Sequence, residues 1–531
     1  MSIKKTLAVL STASLPLTLA ACGGDNSNSA TGSGSGDGVI IVNGSEPQNP
    51  LIPADTNETG GGRIVESLYS GLVYYDGDGE AHNELAESIE PNDDNTEFTV
   101  KLKESTFSDG SPVTSKNFVD AWNYAVANDQ LAASFFSNIK GFKEGVKELE
   151  GLKIVDDHTF TIALNSPEQD FPGQLGYSAF YPLHESAYED MDAYGQNPIT
   201  NGPYKLSEWN HNQDATVVPN DQYKGERTPQ NDGLKFVFYA SQDAAYADLL
   251  SGNLDVLDAV PDSAFDVYEA DLGERAVNQP TAVFQSFTLG ENLEHYSGEE
   301  GALRRQAISL AIDRDEITET IFKGTRTPAK DFTSPVLPGY SEDIEGNDVL
   351  EYDPEKAKKL WAEADKINKW DNPSLEIAYN SDGGHKSWVD ATANSIKNTL
   401  GIEAVGAPYP DFKSLRDEVT NRTIKTAFRT GWQADFPSQG NFLAPLYKTG
   451  GSSNDGDYSN PEFDKLLDEA LTAHSDEEAT KKYNEAQAVL FKDLPSIPLW
   501  YSNSTGGYSE NVDNVVFSWK SQPVYYNITR K

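Results

Sequence analysis

The segment from Arg429 to Pro437 is the part of the sequence best suited to chemistry, because it places one acid among aromatic side chains. The acid is Asp435, with Trp432 and Phe436 close by and Gly431 leaving the backbone open to approach. A carboxylate in a partly dry setting needs a partner, which can be a backbone N–H, an arginine or a ligand cation. The residues alone leave two interpretations open: a structural cap, or a contact with a bound cation.

A second acidic segment imitates a calcium loop. Asp76, Asp78, Glu80 and Glu87 have the spacing of the loop's ligands, but its sixth position, which requires glycine, is Ala81. The Asp-Gly-Asp-Gly stretch is more typical of a surface turn. We therefore predict no metal site.

Catalytic motifs are missing from the sequence. We find no Gly-x-Ser-x-Gly elbow, no His-Glu-x-x-His helix and no P-loop. His184 and Glu185 begin like a zinc-protease motif, but the residue three beyond Glu185 is Tyr188. We expect a protein that is not an enzyme and that carries no cofactor.

Strands and helices that could position such groups are interleaved along the chain. Apolar and polar residues alternate in Phe98–Leu102, Thr159–Leu164 and Leu234–Tyr239, which predicts half-buried strands.

Helix starts are marked by capping signals. These are Asp353 before Pro354, Asn460 before Pro461, and Ser475 with Glu478 as a capping box. The interleaving predicts an α/β protein of more than one lobe, and residues 39–531 suffice for roughly three domains of about 150 residues.

The net charge of −43 limits the partners. Such an acidic surface repels nucleic acid and anionic lipid headgroups, so we expect neither nucleic-acid binding nor direct membrane docking.

The amino terminus has the pattern of an export signal. Lys4 and Lys5 precede the apolar stretch 7–20, which at about 14 residues is too short to span a bilayer. The following Leu-Ala-Ala-Cys resembles the lipobox of bacterial lipoproteins, with lipid on Cys22, the only cysteine. We predict a signal peptide at 1–21, a flexible tether at 22–38, and an extracytoplasmic chain anchored by lipid to the outer face of the cell membrane.

A series of motifs through the mature chain resembles one family, the solute-binding proteins of ABC importers in the peptide and nickel class. The motifs stand in the family order, at 68–76, 85–88, 107–112, 120–122, 200–204, 249–255, 304–314 and 352–360. Residues 379–446 look most like oligopeptide receptors. The family fold implied is a two-lobed periplasmic-binding-protein-like α/β fold with a hinge and an additional third domain.

The resemblance also implies domain limits. Lobe I would comprise 39–74, 200–300 and 495–531, the extra domain 75–199, and lobe II 301–494.

Ligand contacts are implied residue by residue. In similar receptors a Gly-Trp-x-Ala-Asp strand binds the peptide main chain and its Asp pairs with the peptide amino terminus. The matching positions are Gly431, Trp432, Gln433 and Asp435. Arg429 and His385 match residues that meet the ligand carboxylate, Phe412 matches a pocket aromatic, and Asn57, Glu58 and Thr59 match a loop on the opposite lobe. A second family arginine falls near Thr420, which leaves the preferred peptide length open.

The function implied is capture of short peptides and their delivery to an ABC permease and ATPase complex, by a monomeric receptor. The alternatives are a same-class receptor for a nickel complex, a sugar or a cationic metabolite, and a peptide-sensing surface lipoprotein.

Overall fold

The structure is a computed structural model that describes residues 38–381, 384–410 and 412–531. The predicted signal peptide 1–21, Cys22 and the tether as far as residue 37 lie outside the described residues, as does the side chain of Phe412.

The strands and helices alternate along the whole described chain. The strands are β1 Val39–Gly44, β2 Val73–Tyr75, β3 Ala81–Asn83, β4 Ala86–Pro91, β5 Glu97–Leu102, β6 Leu152–Asp156, β7 Thr159–Ala163, β8 Tyr204–Asn210, β9 Asp214–Pro219, β10 Gly233–Phe238, β11 Val256–Leu257, β12 Gln279–Thr288, β13 Arg326–Pro328, β14 Ser374–Asn380, β15 Glu403–Tyr409, β16 Ala427–Gln433, β17 Ser496–Ser504, β18 Gly507–Tyr508, β19 Val512–Asp513 and β20 Thr529–Arg530. The α-helices are α1 Thr59–Leu68, α2 Ser115–Ala127, α3 Phe171–Gln174, α4 Met191–Gln196, α5 Gln242–Ser251, α6 Tyr268–Leu272, α7 Gly298–Leu310, α8 Arg314–Thr320, α9 Pro354–Ile367, α10 Lys386–Leu400, α11 Phe412–Thr420, α12 Gly440–Tyr447, α13 Pro461–Leu471 and α14 Asp476–Asp493.

Two six-stranded mixed sheets organise the molecule. The first has the strand order β18-β11-β1-β10-β9-β8 and the second β13-β17-β12-β16-β14-β15. A four-stranded sheet, β4-β5-β7-β6, lies within the predicted extra domain. Its Phe98 and Phe160 share one apolar core with Val42 and Phe236 of the first sheet, so these two sheets pack as one body.

Helices cover both faces of the second sheet. Because side chains alternate along a strand, Phe284 of β12 packs with α12–α14, whereas Phe287 packs against α7, α9 and α10. Strand β17 also has one side chain on each face, because Tyr501 packs with the core of α12–α14 and Trp500 packs with the core of α7, α9 and α10. The predicted α/β, two-lobed fold class is confirmed.

Local capping predictions are also confirmed. The Asp353 and Asn460 side chains accept backbone N–H bonds at the starts of α9 and α13. Ser475 accepts from the N–H of Glu478 at 3.2 Å. The return bond of this box differs from the prediction, because Glu478 accepts from the N–H of His474 at 3.2 Å.

Sheet membership bears on the predicted domain limits. Strands β12 and β17 were expected within lobe I, at 200–300 and 495–531, but both pair within the second sheet. We therefore propose that lobe II runs from about residue 279 to about residue 504, with the extra domain still at 75–199.

The segment that imitates a calcium loop forms a turn between β2 and β3. Asp76 Oδ1 accepts from the N–H groups of Asp78 and Glu80, at 3.0 and 2.9 Å. Across the described residues no group of three or more His, Cys, Asp and Glu side chains could hold a metal ion.

Candidate functional site

Strand β16 carries four of the predicted ligand residues and is paired along only one edge beyond residue 428. On one side it pairs antiparallel with β12 from Phe428 to Gln433. On the other side β14 pairs with it at residues 427 and 428 alone. No strand of the described chain pairs with this second edge from Arg429 to Gln433.

The hydrogen-bonding pattern shows which backbone groups face the open edge. The N–H of Ala434 donates to Ala282 O at 3.0 Å, so the even-numbered residues of β16 exchange bonds with β12. In an antiparallel pair the intervening residues direct N–H and C=O to the opposite edge. Gly431 and Gln433 therefore present their main-chain groups to the open edge, and both residues are exposed.

Asp435 lies two residues beyond this strand and is half-buried. Its carboxylate accepts one hydrogen bond, from Asn441 Nδ2 at 3.1 Å. No lysine, arginine or histidine of the described residues forms an ion pair with it. Burial raises the pKa of the Asp435 carboxyl, and the Asn441 bond opposes that shift. A neighbouring cation would stabilise the charged form.

Asn441, in the first turn of α12, fixes both the acid and its neighbouring aromatic. Its Oδ1 accepts from the Asp435 N–H at 3.0 Å and from Trp432 Nε1 at 3.2 Å. Asn441 is 8% exposed, so these hydrogen bonds are shielded from water. The sequence reasoning missed this residue, although it lies only six positions after Asp435.

Two tyrosines of the predicted extra domain lie near enough to Asp435 for its charge to affect their pKa values. Burial, the neighbouring tyrosines, Glu66 and Asp435 raise the pKa of Tyr75. Burial, then Asp435 and Glu66, raise the pKa of Tyr177. Glu66 is paired with Lys520 at 2.5 Å. Tyr75 belongs to the motif at 68–76 that resembles the family, but no sequence signal indicated Tyr177.

Arg429 and His385 lie toward the opposite end of this edge. Arg429 Nε donates to Asn380 Oδ1 at 2.8 Å, which places it at the end of β14. His385 follows Asn380 by five residues and accepts from Trp388 Nε1 at 3.1 Å. Both side chains are half-buried.

Asn57, Glu58 and Thr59 lie where α1 begins. Glu58 is the N-cap of that helix, and its Oε1 accepts from the Gly61 N–H at 2.8 Å and from the Gln48 N–H at 3.2 Å. Glu58 thus has a structural role, whereas Asn57 and Thr59 are exposed. Phe412 begins α11.

None of the helices in the described ranges is long and apolar enough to cross a membrane.

The chain is similar to known proteins over most of its length. Residues 80–454 match the model of the bacterial extracellular solute-binding proteins, family 5. The oligopeptide-binding protein OppA of Bacillus subtilis is 24% identical, with 96% of each chain covered.

Solved structures with the same fold include the murein tripeptide-binding protein MppA in its unliganded open form. It has a TM-score of 0.81 and 22% identity, with 94% of this chain and 98% of that chain covered. Haemophilus influenzae OppA in complex with the peptide RPPGFSPFR has a TM-score of 0.66 and 24% identity, with 92% and 98% covered.

Proposed function

The chain belongs to the bacterial extracellular solute-binding proteins of family 5, and on that premise we propose that it is a peptide receptor. It binds short, extended peptides and delivers them to an ABC permease and its ATPase, without covalent chemistry. The names of its relatives, which include oligopeptide- and murein tripeptide-binding proteins, support this class of ligand.

The open edge of β16 beside an acid without a cation is the observation that carries the proposal. An extended peptide can add to the edge as a strand and bond to the main chain of Gly431 and Gln433, which reads backbone rather than side chains. Its α-ammonium then pairs with Asp435 in a charge-assisted hydrogen bond. The edge and the acid together fit a free-amine peptide better than a sugar or a metal complex.

The other end of the peptide lies toward Arg429 and His385. Arg429 is the third residue of β16, six positions before Asp435, and it bonds to Asn380 at the end of β14. His385 follows that end of β14 by five residues. A free carboxylate of a short peptide would be met there by Arg429 or His385. Phe412, Asn57 and Thr59 remain proposed contacts, whereas Glu58 contributes by fixing the start of α1.

Membrane attachment is the second part of the proposal. We propose that residues 1–21 are removed and that lipid on Cys22 holds a monomeric receptor outside the membrane.

Material that copurifies with the protein provides the first test. We expect native mass spectrometry of the full-length protein to show a mixture of peptides of two to five residues, the range in which strand addition and two charged ends act together. A single non-peptide mass would end the peptide proposal.

The amine contact is tested by calorimetry with tri-alanine and its N-acetylated form. Acetylation removes the charge that Asp435 would bind, so affinity should fall by about 1.5–3 kcal/mol. Asp435→Asn should weaken the binding of the free-amine peptide by a similar amount and leave the binding of the acetylated peptide nearly unchanged. The control is Asp266→Asn, because Asp266 is exposed and paired only loosely with Lys323, at 3.7 Å. Equal binding of both peptides to the unsubstituted protein would return Asp435 to the structural interpretation.

A further inference from the structure

A cavity lies beside Asp435, between the predicted extra domain and lobe II. We propose that it takes the basic side chain, lysine or arginine, of the first residue of a bound peptide. The inference rests on the proposed function, because it assumes that the peptide amino terminus lies at Asp435.

The cavity is large enough for such a side chain. Its volume is about 330 Å³, within the range of about 300–1,000 Å³ typical of small-molecule sites. Tyr75, Pro172, Pro338 and Phe436 provide apolar walls. Apolar walls suit the methylene stem of a lysine or arginine, which packs while its charged head finds polar partners.

The charged groups that line the cavity are all acidic. They are Glu80 from the turn before β3, Asp170 from the segment before α3, and Asp476 from the start of α14, and no lysine, arginine or histidine lines it. Burial raises the pKa of Asp170 despite its bond from Ser438. A cationic ligand would lower that pKa again by favouring the carboxylate.

A buried acceptor without a donor marks the same cavity. Gln439 lines it and is only 2% exposed. Its Nε2 donates to Gly339 O at 2.8 Å and to Asn484 Oδ1 at 3.3 Å, which fixes the orientation of the amide. Its Oε1 has no hydrogen-bond partner in the described structure. Because a buried unpaired acceptor is costly, an N–H donor of a ligand would satisfy it.

The position of the cavity indicates that the side chain it takes belongs to the first residue of the peptide. The four residues that follow Asp435, which are Phe436, Pro437, Ser438 and Gln439, all line the cavity. A side chain that starts at the first Cα therefore has the cavity within reach. Residues further along the peptide lie toward Arg429, away from Phe436.

Asp170 also has a structural contact, which the test must separate from ligand binding. It accepts a hydrogen bond from Ser438 Oγ, and Gln169 of the same segment donates to Asp476 at 2.7 Å. These bonds join the predicted extra domain to lobe II. A purely structural Asp170 would affect all peptides alike.

The test measures how affinity depends on the first side chain, by calorimetry on the full-length protein. Lys-Ala-Ala should bind about tenfold more tightly than norleucine-Ala-Ala, which has the same stem without the charge. Glu-Ala-Ala should bind more weakly than Gln-Ala-Ala. Equal affinities within both pairs would overturn the inference and leave the peptide proposal intact, whereas absence of binding by every tripeptide would overturn both.

Variants locate the charge preference. Asp170→Asn should reduce the ratio of lysine to norleucine affinity from about tenfold to about twofold, and Asp476→Asn should reduce it less. Asp266→Asn should leave the ratio unchanged. If Asp170→Asn weakens the binding of both peptides equally, and both variants keep the tenfold ratio of lysine to norleucine affinity, these acids serve the domain contact alone. That result would refute the inference.

Discussion

Asp331 and Asp435 are two buried or half-buried acids of the same lobe with opposite surroundings. Asp331 is fully buried and accepts from Thr333 N at 2.8 Å, Thr333 Oγ1 at 2.6 Å and Tyr501 OH at 2.8 Å. Asp435 is half-buried and accepts from a single neutral amide. A carboxylate whose lone pairs are filled by the protein is part of the core, whereas one left nearly empty has capacity for a ligand.

The largest effect that tests the contrast between these two acids is the loss of stability expected when Asp331 is replaced. Asp331→Ala leaves the donors of Thr333 and Tyr501 without their acceptor in a dry core. We expect the free energy of unfolding to fall by about 3–4 kcal/mol at pH 5, measured by urea denaturation. A loss below about 1 kcal/mol would mean that Asp331 is not structural.

A smaller effect should follow from pH. Burial raises the pKa of Asp331 to about 6, above its value in the unfolded chain. The native state then holds more protons than the unfolded state between these two values, so stability is present at low pH and is lost as pH rises through about 6. The contribution should fall by about 2 kcal/mol between pH 4 and pH 6. The measurement is the free energy of unfolding as a function of pH, for the unsubstituted protein and for Asp331→Asn. The difference between the two curves isolates the contribution of Asp331, and parallel curves would contradict the raised pKa.

The smallest effect on stability should come from Asp435→Asn. The substitution keeps the shape, removes a charge that burial disfavours, and breaks no ion pair of the described residues. We expect the free energy of unfolding to change by less than about 0.5 kcal/mol. A loss above about 2 kcal/mol would remove the contrast, since both acids would then support the fold.

Features set by neighbouring residues were predictable from sequence. The caps at Asp353, Asn460 and Ser475 obey rules that act over two or three positions, and all three are present. The turn at Asp76 is likewise local. Asp435 stood out because an acid among aromatic residues is unusual.

Features that depend on distant pairing were not predictable. Nothing near β12 or β17 in sequence specifies that they join the second sheet, because strand pairing is decided across some 200 residues. The approach of Tyr177 to Asp435 is also long-range. The role of Asn441 was local but hidden, because asparagine at a helix start normally indicates a cap.

The open edge of β16 has a second consequence, for self-association. An unpaired strand edge is a template on which another chain can add, and proteins usually block such edges with charges, prolines or short length. Here the open stretch is only residues 429–433, begins at an arginine and is followed by Pro437. A peptide bound as proposed would cover this edge, so we expect the empty form to be the one with a strand available for aggregation.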